Sequence, residues 1–188
     1  FEWDGVVVTG SRVSVYRDDE HEWIRPLVEW VGEAAARELP VLGVCYGHQV
    51  LAEALGGTVE HMGEYELGYR EVDHHGDDLF AGIPETFTVF VSHQDRVTEL
   101  PPGADLIAEN EYGVHGFRDG DAVGVQFHPE YDLETAEELA RDKDVPPEQE
   151  RRVMASIGAE SYEAACETKR LFDNFVARVR ARRDAPAR

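Results

Sequence analysis

Apolar positions along the chain fall into short runs and helical stripes that take turns. Gly5-Val6-Val7-Val8-Thr9 is a β-branched run of the kind that forms a buried parallel strand. From Glu22 to Leu39 the residues Trp23, Leu27, Trp30, Val31 and Ala34 recur at helical spacing, so a helix is expected there with its aromatics turned to a core. Val41 to Val44 is long enough only for a buried strand. It runs into a helical pattern of Val50, Leu51, Ala54 and Leu55 that Gly56-Gly57 stops. Thr58 to Gly76 is less regular, with Tyr65 to Val72 readable as a strand. Thr86 to Val91 alternates as a strand. Gly103 to Glu109, Val114 to Phe117 and Ala122 to Phe127 read as further strands, the first two separated by a turn at Asn110 to Gly113. Leu133 to Ile157 is charged, and Pro146-Pro147 divides it into two short helical pieces that read as a solvated insertion. The last helix has Ser161 as a candidate N-cap and Leu171, Phe172, Phe175, Val176 and Val179 on one face; the end from Ala181 to Arg188 is expected to fray.

Alternating strands and helices predict an α/β fold of three layers, a mostly parallel sheet flanked by helices. One domain is expected over 1–188, with a charged helical insertion at 131–160 and a C-terminal helix at 161–183. Neither an internal repeat nor an interdomain linker is visible.

Charge narrows the partners. The chain has 39 acidic against 18 basic residues and a formal charge of −21, which argues against nucleic acid and anionic membranes. Lys143 and Lys169 are the only lysines; the remaining basic residues are arginine. An acidic, lysine-poor surface fits a salt-rich cytoplasm, where screening shortens the reach of self-repulsion. Cys45 and Cys166 are too few for a disulfide framework and suit a reducing compartment, so a cytoplasmic location is expected. No apolar run approaches a membrane span, and no signal peptide is recognisable at Phe1.

The chemistry concentrates at two strand ends. Gly43-Val44-Cys45-Tyr46-Gly47 is a thiol counterpart of the Gly-x-Ser-x-Gly elbow, which would lift the sulfur over the sheet edge and set it at a helix N-terminus that favours thiolate. By itself Cys45 reads equally as an inert core thiol. Gln126-Phe127-His128-Pro129-Glu130 changes that balance, because it offers a base and an orienting carboxylate at the end of another strand. His74-His75 lacks further ligands at recognisable spacing, and His61, His115 and Cys166 read as structural or surface residues, so no metal and no cofactor is expected.

Leu42-Gly43-Val44-Cys45-Tyr46-Gly47-His48-Gln49 together with Gln126-Phe127-His128-Pro129-Glu130 resembles the class I (triad) glutamine amidotransferases, with the glutaminase part of GMP synthetase as the nearest pattern. The resemblance runs from about Phe1 to Tyr131 and implies a flavodoxin-like fold. It implies Cys45 as nucleophile, His128 as base and Glu130 as the carboxylate that orients it, acting on glutamine or another γ-glutamyl compound through a thioester. It also implies oxyanion donors at the amides of Tyr46 and Ser11, the latter in the Gly10-Ser11 turn, and a grip on the amino-acid end of the substrate by Gln49 and by Ser92-His93. For Gln49 a helix-capping amide is the alternative reading.

The match is not uniform. Thr9-Gly10-Ser11-Arg12 stands where the family usually has Ser-Gly-Gly-Pro, the charged stretch after Glu130 is long, and the strand-helix-strand unit that opens family domains, about 30 residues or more, is absent before Val6. Three roles follow: a subunit feeding ammonia to a separate ATP-dependent synthetase, since no Gly-rich nucleotide motif occurs here; a stand-alone γ-glutamyl hydrolase or peptidase; and a silent regulatory subunit.

Overall fold

A computed structural model describes residues 2–184. Its strands are β1 (Val6–Val8), β2 (Val41–Val44), β3 (Thr58–His74), β4 (Thr86–Glu99), β5 (Asp105–Asn110), β6 (Gly113–Asp119) and β7 (Ala122–Val125). They form one sheet in the order β1-β2-β7-β6-β5-β3-β4. The helices are α1 (Ile24–Ala36), α2 (Tyr46–Ala54), α3 (Leu133–Asp142), α4 (Pro147–Ser156), α5 (Ala159–Ala165) and α6 (Arg170–Asp184).

The three-layer α/β arrangement is as expected, but the parallel share is smaller. Only β1–β2 and β2–β7 pair in parallel, whereas β7–β6, β6–β5, β5–β3 and β3–β4 are antiparallel. The cause is loop length. Glu111-Tyr112 joins β5 to β6 and Gly120-Asp121 joins β6 to β7, and two residues can connect only antiparallel neighbours. Gly113 and Gly120 take the positive φ values, 119° and 59°, that such turns demand.

Successive residues of the central strands point to opposite layers. Val41 and Ala122 pack with Val31 and Ala34 of α1 and Val50 and Leu51 of α2. Leu42, Val44, Val123 and Val125 face the other way, onto Leu171 and Phe175 of α6. β1 is one edge of the sheet, and its Val7 is 46% exposed.

Two C-terminal expectations change. The stretch read as a solvated insertion has a core of its own: Ala136 and Ala140 of α3 and Val153 of α4 pack on Leu67, Tyr69 and Phe90 of the β3–β4 hairpin. Ser161 is not an N-cap. Gly158 holds that place for α5, and the Ser161 hydroxyl accepts from the Gly158 N–H at 3.1 Å. A 3₁₀ turn at Cys166–Lys169 separates α5 from α6, and Val176 on the expected apolar face of α6 is 43% exposed. Of the end expected to fray, Ala181 to Asp184 is helical and 185–188 lies outside the described residues.

Among the described residues no helix is long and apolar enough to cross a membrane. The charge of −21 is instead a stability term. Because the Debye length shrinks from about 10 Å at 0.1 M to about 3 Å at 1 M salt, the unfolding midpoint should be lower in dilute buffer than in molar salt. Equal midpoints by scanning calorimetry would refute this.

Candidate active site

Cys45 stands between the end of β2 and the start of α2 with φ 53° and ψ −104°, a conformation that L side chains rarely hold. Its N–H donates to the Val125 carbonyl at 2.8 Å, so the elbow is tied to β7. The flanking glycines are required by crowding. A Cβ on Gly43 would lie 2.3 Å from the Gly47 carbonyl oxygen, and one on Gly47 would lie 2.0 Å from that of Val8. β1, β2 and α2 therefore approach backbone to backbone, and Cys45 occupies the N-cap of α2, where first-turn amides lack intrahelical acceptors.

His128 follows β7 and reaches β4, its N–H donating to the Phe90 carbonyl at 2.9 Å. Nδ1 donates to Glu130 Oε1 at 2.7 Å, which fixes the ring's orientation and leaves Nε2 for the thiol. Gly10 closes the group. A Cβ there would meet His128 Cε1 at 3.2 Å and the Cys45 Cβ at 3.9 Å. Burial opposes a charge on His128, but Cys45 by charge and hydrogen bond, and then Glu130, outweigh it and raise the imidazole from 6.5 to about 10. Its contribution to stability is thus whole below pH 6.5 and is lost as pH rises through about 10. The ring also stacks on Tyr131, with centroids 4.2 Å apart and planes at 8°. Sequence reasoning missed Tyr131; an aromatic three residues after the histidine was the available signal.

The other candidate residues divide by what their side chains do. Ser11 and Ser92 border the cavity at Cys45, and the Ser92 Oγ is buried without a hydrogen-bond partner among the described residues. Tyr46 turns its ring against Trp23, with centroids 5.8 Å apart, and burial pushes its phenol up to about 12. Gln49 Nε2 donates to the Asp95 carbonyl at 3.1 Å and to Gln126 Oε1 at 3.2 Å, and its Oε1 is used by neither bond. The His93 ring points away from an incoming ligand. Its Nδ1 lies 2.9 Å from the Asp95 carbonyl oxygen and its Nε2 lies 2.6 Å from Glu66 Oε2.

Glu66 is the hub of a buried group that sequence reasoning did not find. Its carboxylate meets His93 Nε2 and accepts from His115 Nε2 at 3.1 Å and from Asn110 Nδ2 at 2.7 Å. Burial would raise its carboxyl, but the hydrogen bonds from His115 and His93 prevail and hold it well below the usual range. Glu66, His93 and His115 are the one set among the described residues with metal-ligand atoms clustered within 4.8 Å. The His93–Glu66 separation of 2.6 Å is a hydrogen-bond distance, shorter than the roughly 3.3 Å between two ligands of a tetrahedral zinc. The group is therefore a hydrogen-bonded brace under β4. Asp95 extends it, since its carboxylate accepts from Ser14 Oγ at 2.6 Å and Tyr16 Oη at 2.7 Å and so ties β4 to the loop that bears Ser11.

Chemically, the arrangement can generate a thiolate beside an imidazolium, with amides at the head of α2 to receive negative charge. Comparison with known proteins is consistent with this geometry. The chain is 40% identical over 128 residues to the GMP synthase [glutamine-hydrolyzing] of Thermomicrobium roseum, covering 67% of this chain and 23% of that protein. With the protein of that name from Staphylococcus aureus it shares 38% over 129 residues, covering 67% and 24%. It thus spans about a quarter of the length of these relatives. Among solved structures, a glutamine amidotransferase from Thermotoga maritima superposes with a TM-score of 0.74 at 26% identity, covering 92% of this chain and 77% of that one. A glutamine amidotransferase from Methylobacillus flagellatus shares the fold with a TM-score of 0.75 at 20% identity, covering 93% and 76%. The family description "Glutamine amidotransferase class-I" matches residues 2–144, and with the elbow, the strand-end histidine and the mixed α/β sheet all in place, the chain belongs to the class I glutamine amidotransferase family.

Proposed function

We propose that the chain hydrolyses the side-chain amide of glutamine, with Cys45 as nucleophile. The observation that carries the reading is the Cys45 elbow meeting the His128–Glu130 pair at one cavity. The thiolate attacks the γ-carbonyl carbon, and charge on the oxygen is met by the N–H groups of Tyr46 and Ser11. His128 gives its proton to the departing nitrogen, ammonia leaves, and a γ-glutamyl thioester remains. Water then adds as His128 takes its proton, releasing glutamate and restoring the thiolate. Glu130 keeps the imidazole in its working orientation. Gln49 Oε1 and the backbone around Ser92 and His93 hold the amino-acid end. The names of the relatives support a synthetase, such as that of GMP synthase, as consumer of the ammonia. A cytoplasmic setting and the absence of any need for a cofactor belong to the same reading.

Purified protein in high salt, supplied with L-glutamine, is expected to yield ammonia and glutamate in equal amounts, and a glutamine-like alkylating agent should label Cys45. If Cys45 in the folded chain stays unlabelled and no glutamate forms, the silent-subunit alternative stands instead.

Two kinetic outcomes test the roles. Glu130→Gln should lower kcat less than His128→Ala, because it removes the orienting charge and leaves the base; the reverse order would reassign them. The pH profile should stay level through neutrality and fall on the alkaline side only as pH approaches about 10, where His128 loses the proton it must deliver. An alkaline fall near pH 6.5 would mean that the imidazole is not held charged.

A further inference from the structure

Directly after His128 the chain turns back on itself. Pro129 and Glu130 form the corners of the turn, and proline fixes the first of them, so His128 and Tyr131 stand at its two ends. The imidazole thereby gains two contacts of different kinds. Glu130 meets it at the edge, Oε1 to Nδ1 at 2.7 Å, and Tyr131 covers one face, with centroids 4.2 Å apart and planes at 8°. The edge contact alone does not define the plane of the ring. Histidine has a broad, roughly twofold torsion at χ2, and a single hydrogen bond leaves a pivot about its own axis. A parallel ring at stacking distance removes that pivot.

Tyr131 is itself held. Its ring meets that of Phe90 at 5.8 Å, and Phe90 meets Tyr69 at 5.3 Å. Phe90 and Tyr69 lie in the cluster that Ala136, Ala140 and Val153 of α3 and α4 cover. Phe90 serves twice, since its carbonyl also accepts the His128 N–H at 2.9 Å. The C-terminal layer thus reaches the strand-end histidine through two aromatic rings. Cys45 faces the imidazole from the elbow and Glu130 from its own segment, while β4 contributes Phe90 and Ser92, both uncharged. Lys143 and Arg12 stand at the same cavity, and Arg12 is paired with Asp142 at 2.8 Å. To these the π face of the tyrosine adds an attraction that acts on the imidazolium and little on the neutral ring.

We propose, resting on the amidohydrolase reading above, that Tyr131 is a positioning residue for that reaction: its ring sets the plane of the His128 imidazole, aims Nε2 at Cys45 and favours the imidazolium that delivers the proton. Tyr131 takes no part in bond making.

Two substitutions and one spectrum test this. Tyr131→Leu keeps an apolar group over the imidazole and removes the π face, whereas Tyr131→Phe keeps both. With L-glutamine the leucine variant should lose at least about tenfold in kcat, with KM within about twofold of the parent, and the alkaline limb of its pH profile should move at least about half a unit toward neutrality. The phenylalanine variant should stay within about twofold of the parent rate and keep the parent's limb. Proton NMR of the parent gives a reading free of either substitution: at least one His128 ring proton, assigned by its loss in His128→Ala, should be displaced upfield by the ring current of Tyr131. Should the leucine variant unfold, that displacement and the phenylalanine rates decide. A folded leucine variant with the parent's kcat or the parent's limb, a phenylalanine variant slowed tenfold or more, or a His128 ring without upfield displacement overturns the proposal. The amidohydrolase reading survives any of these, because the parent still turns glutamine over. A parent that forms no glutamate, with Cys45 resistant to alkylation, removes that reading and this one together.

Discussion

Cys45→Ala is expected to reduce glutamine hydrolysis by at least about a thousandfold while the protein remains folded, because deletion of a nucleophile leaves only what binding and the oxyanion donors supply. The fold should survive, since the sulfur lies at the cavity rather than deep in the packing, although the residue is only 5% exposed. A companion variant separates chemistry from strain. At φ 53° and ψ −104° alanine keeps the unfavourable backbone conformation, whereas glycine adopts it freely. Cys45→Gly should therefore unfold at a temperature no lower than Cys45→Ala despite glycine's greater loss of entropy, and both should be inactive. An alanine variant that retains a tenth of the parent rate, in protein free of wild-type contamination, would remove Cys45 from the mechanism. A glycine variant markedly less stable than alanine would mean that the elbow stores no strain.

The parts of this molecule legible in the sequence are those governed by local pattern. β2 and the elbow could be read because a four-residue apolar run, a crowded turn and a helical stripe follow one another without interruption. The fraction of parallel pairing was misread although its cause was in view: the turn at Asn110 to Gly113 was recognised, and a link that short admits only antiparallel partners. β3 was harder. Its 17 residues carry bulges between His61 and Glu66 that break the alternation a strand reading depends on. Glu66 itself was invisible, because a lone glutamate in an irregular stretch has no signature. Its meaning comes from His93, 27 residues on, and His115, 49 residues on, which the β3–β4, β3–β5 and β5–β6 pairings bring to it. For the same reason the stretch after Glu130 looked like mere solvated charge. The small faces of α3 and α4, Ala136, Ala140 and Val153, gain significance only against the hairpin they cover.

The second large effect falls on Gly47, where catalysis and folding depend on the same few atoms. Gly47→Ala would put a Cβ 2.0 Å from the Val8 carbonyl oxygen and 2.7 Å from its carbon, and neither backbone can rotate aside as a side chain would. Relief requires α2 to back away from β1, against the packing of Val50 and Leu51 on α1 and Val41. Overpacking costs about 1–3 kcal/mol when side chains can adjust, so a backbone clash should cost at least about 3 kcal/mol. In a chain of this size that lowers the unfolding midpoint by roughly 6–12 °C. Gly63→Ala is the control: with φ 82° and nothing within 4 Å it incurs only the left-handed penalty of about 1–2 kcal/mol. The activity of the two variants should diverge further than their stabilities. Any shift of α2 carries Cys45 and the Tyr46 amide away from His128, which stays fixed to β4 through Phe90. Misplacement by about 1 Å is enough for a hundredfold loss of rate, so Gly47→Ala assayed well below its midpoint should still be crippled where Gly63→Ala is not. Equal midpoints and equal rates for the two variants would show that β1 and α2 are not in contact at this turn, and the elbow would then owe its shape to something other than the crossing of those backbones.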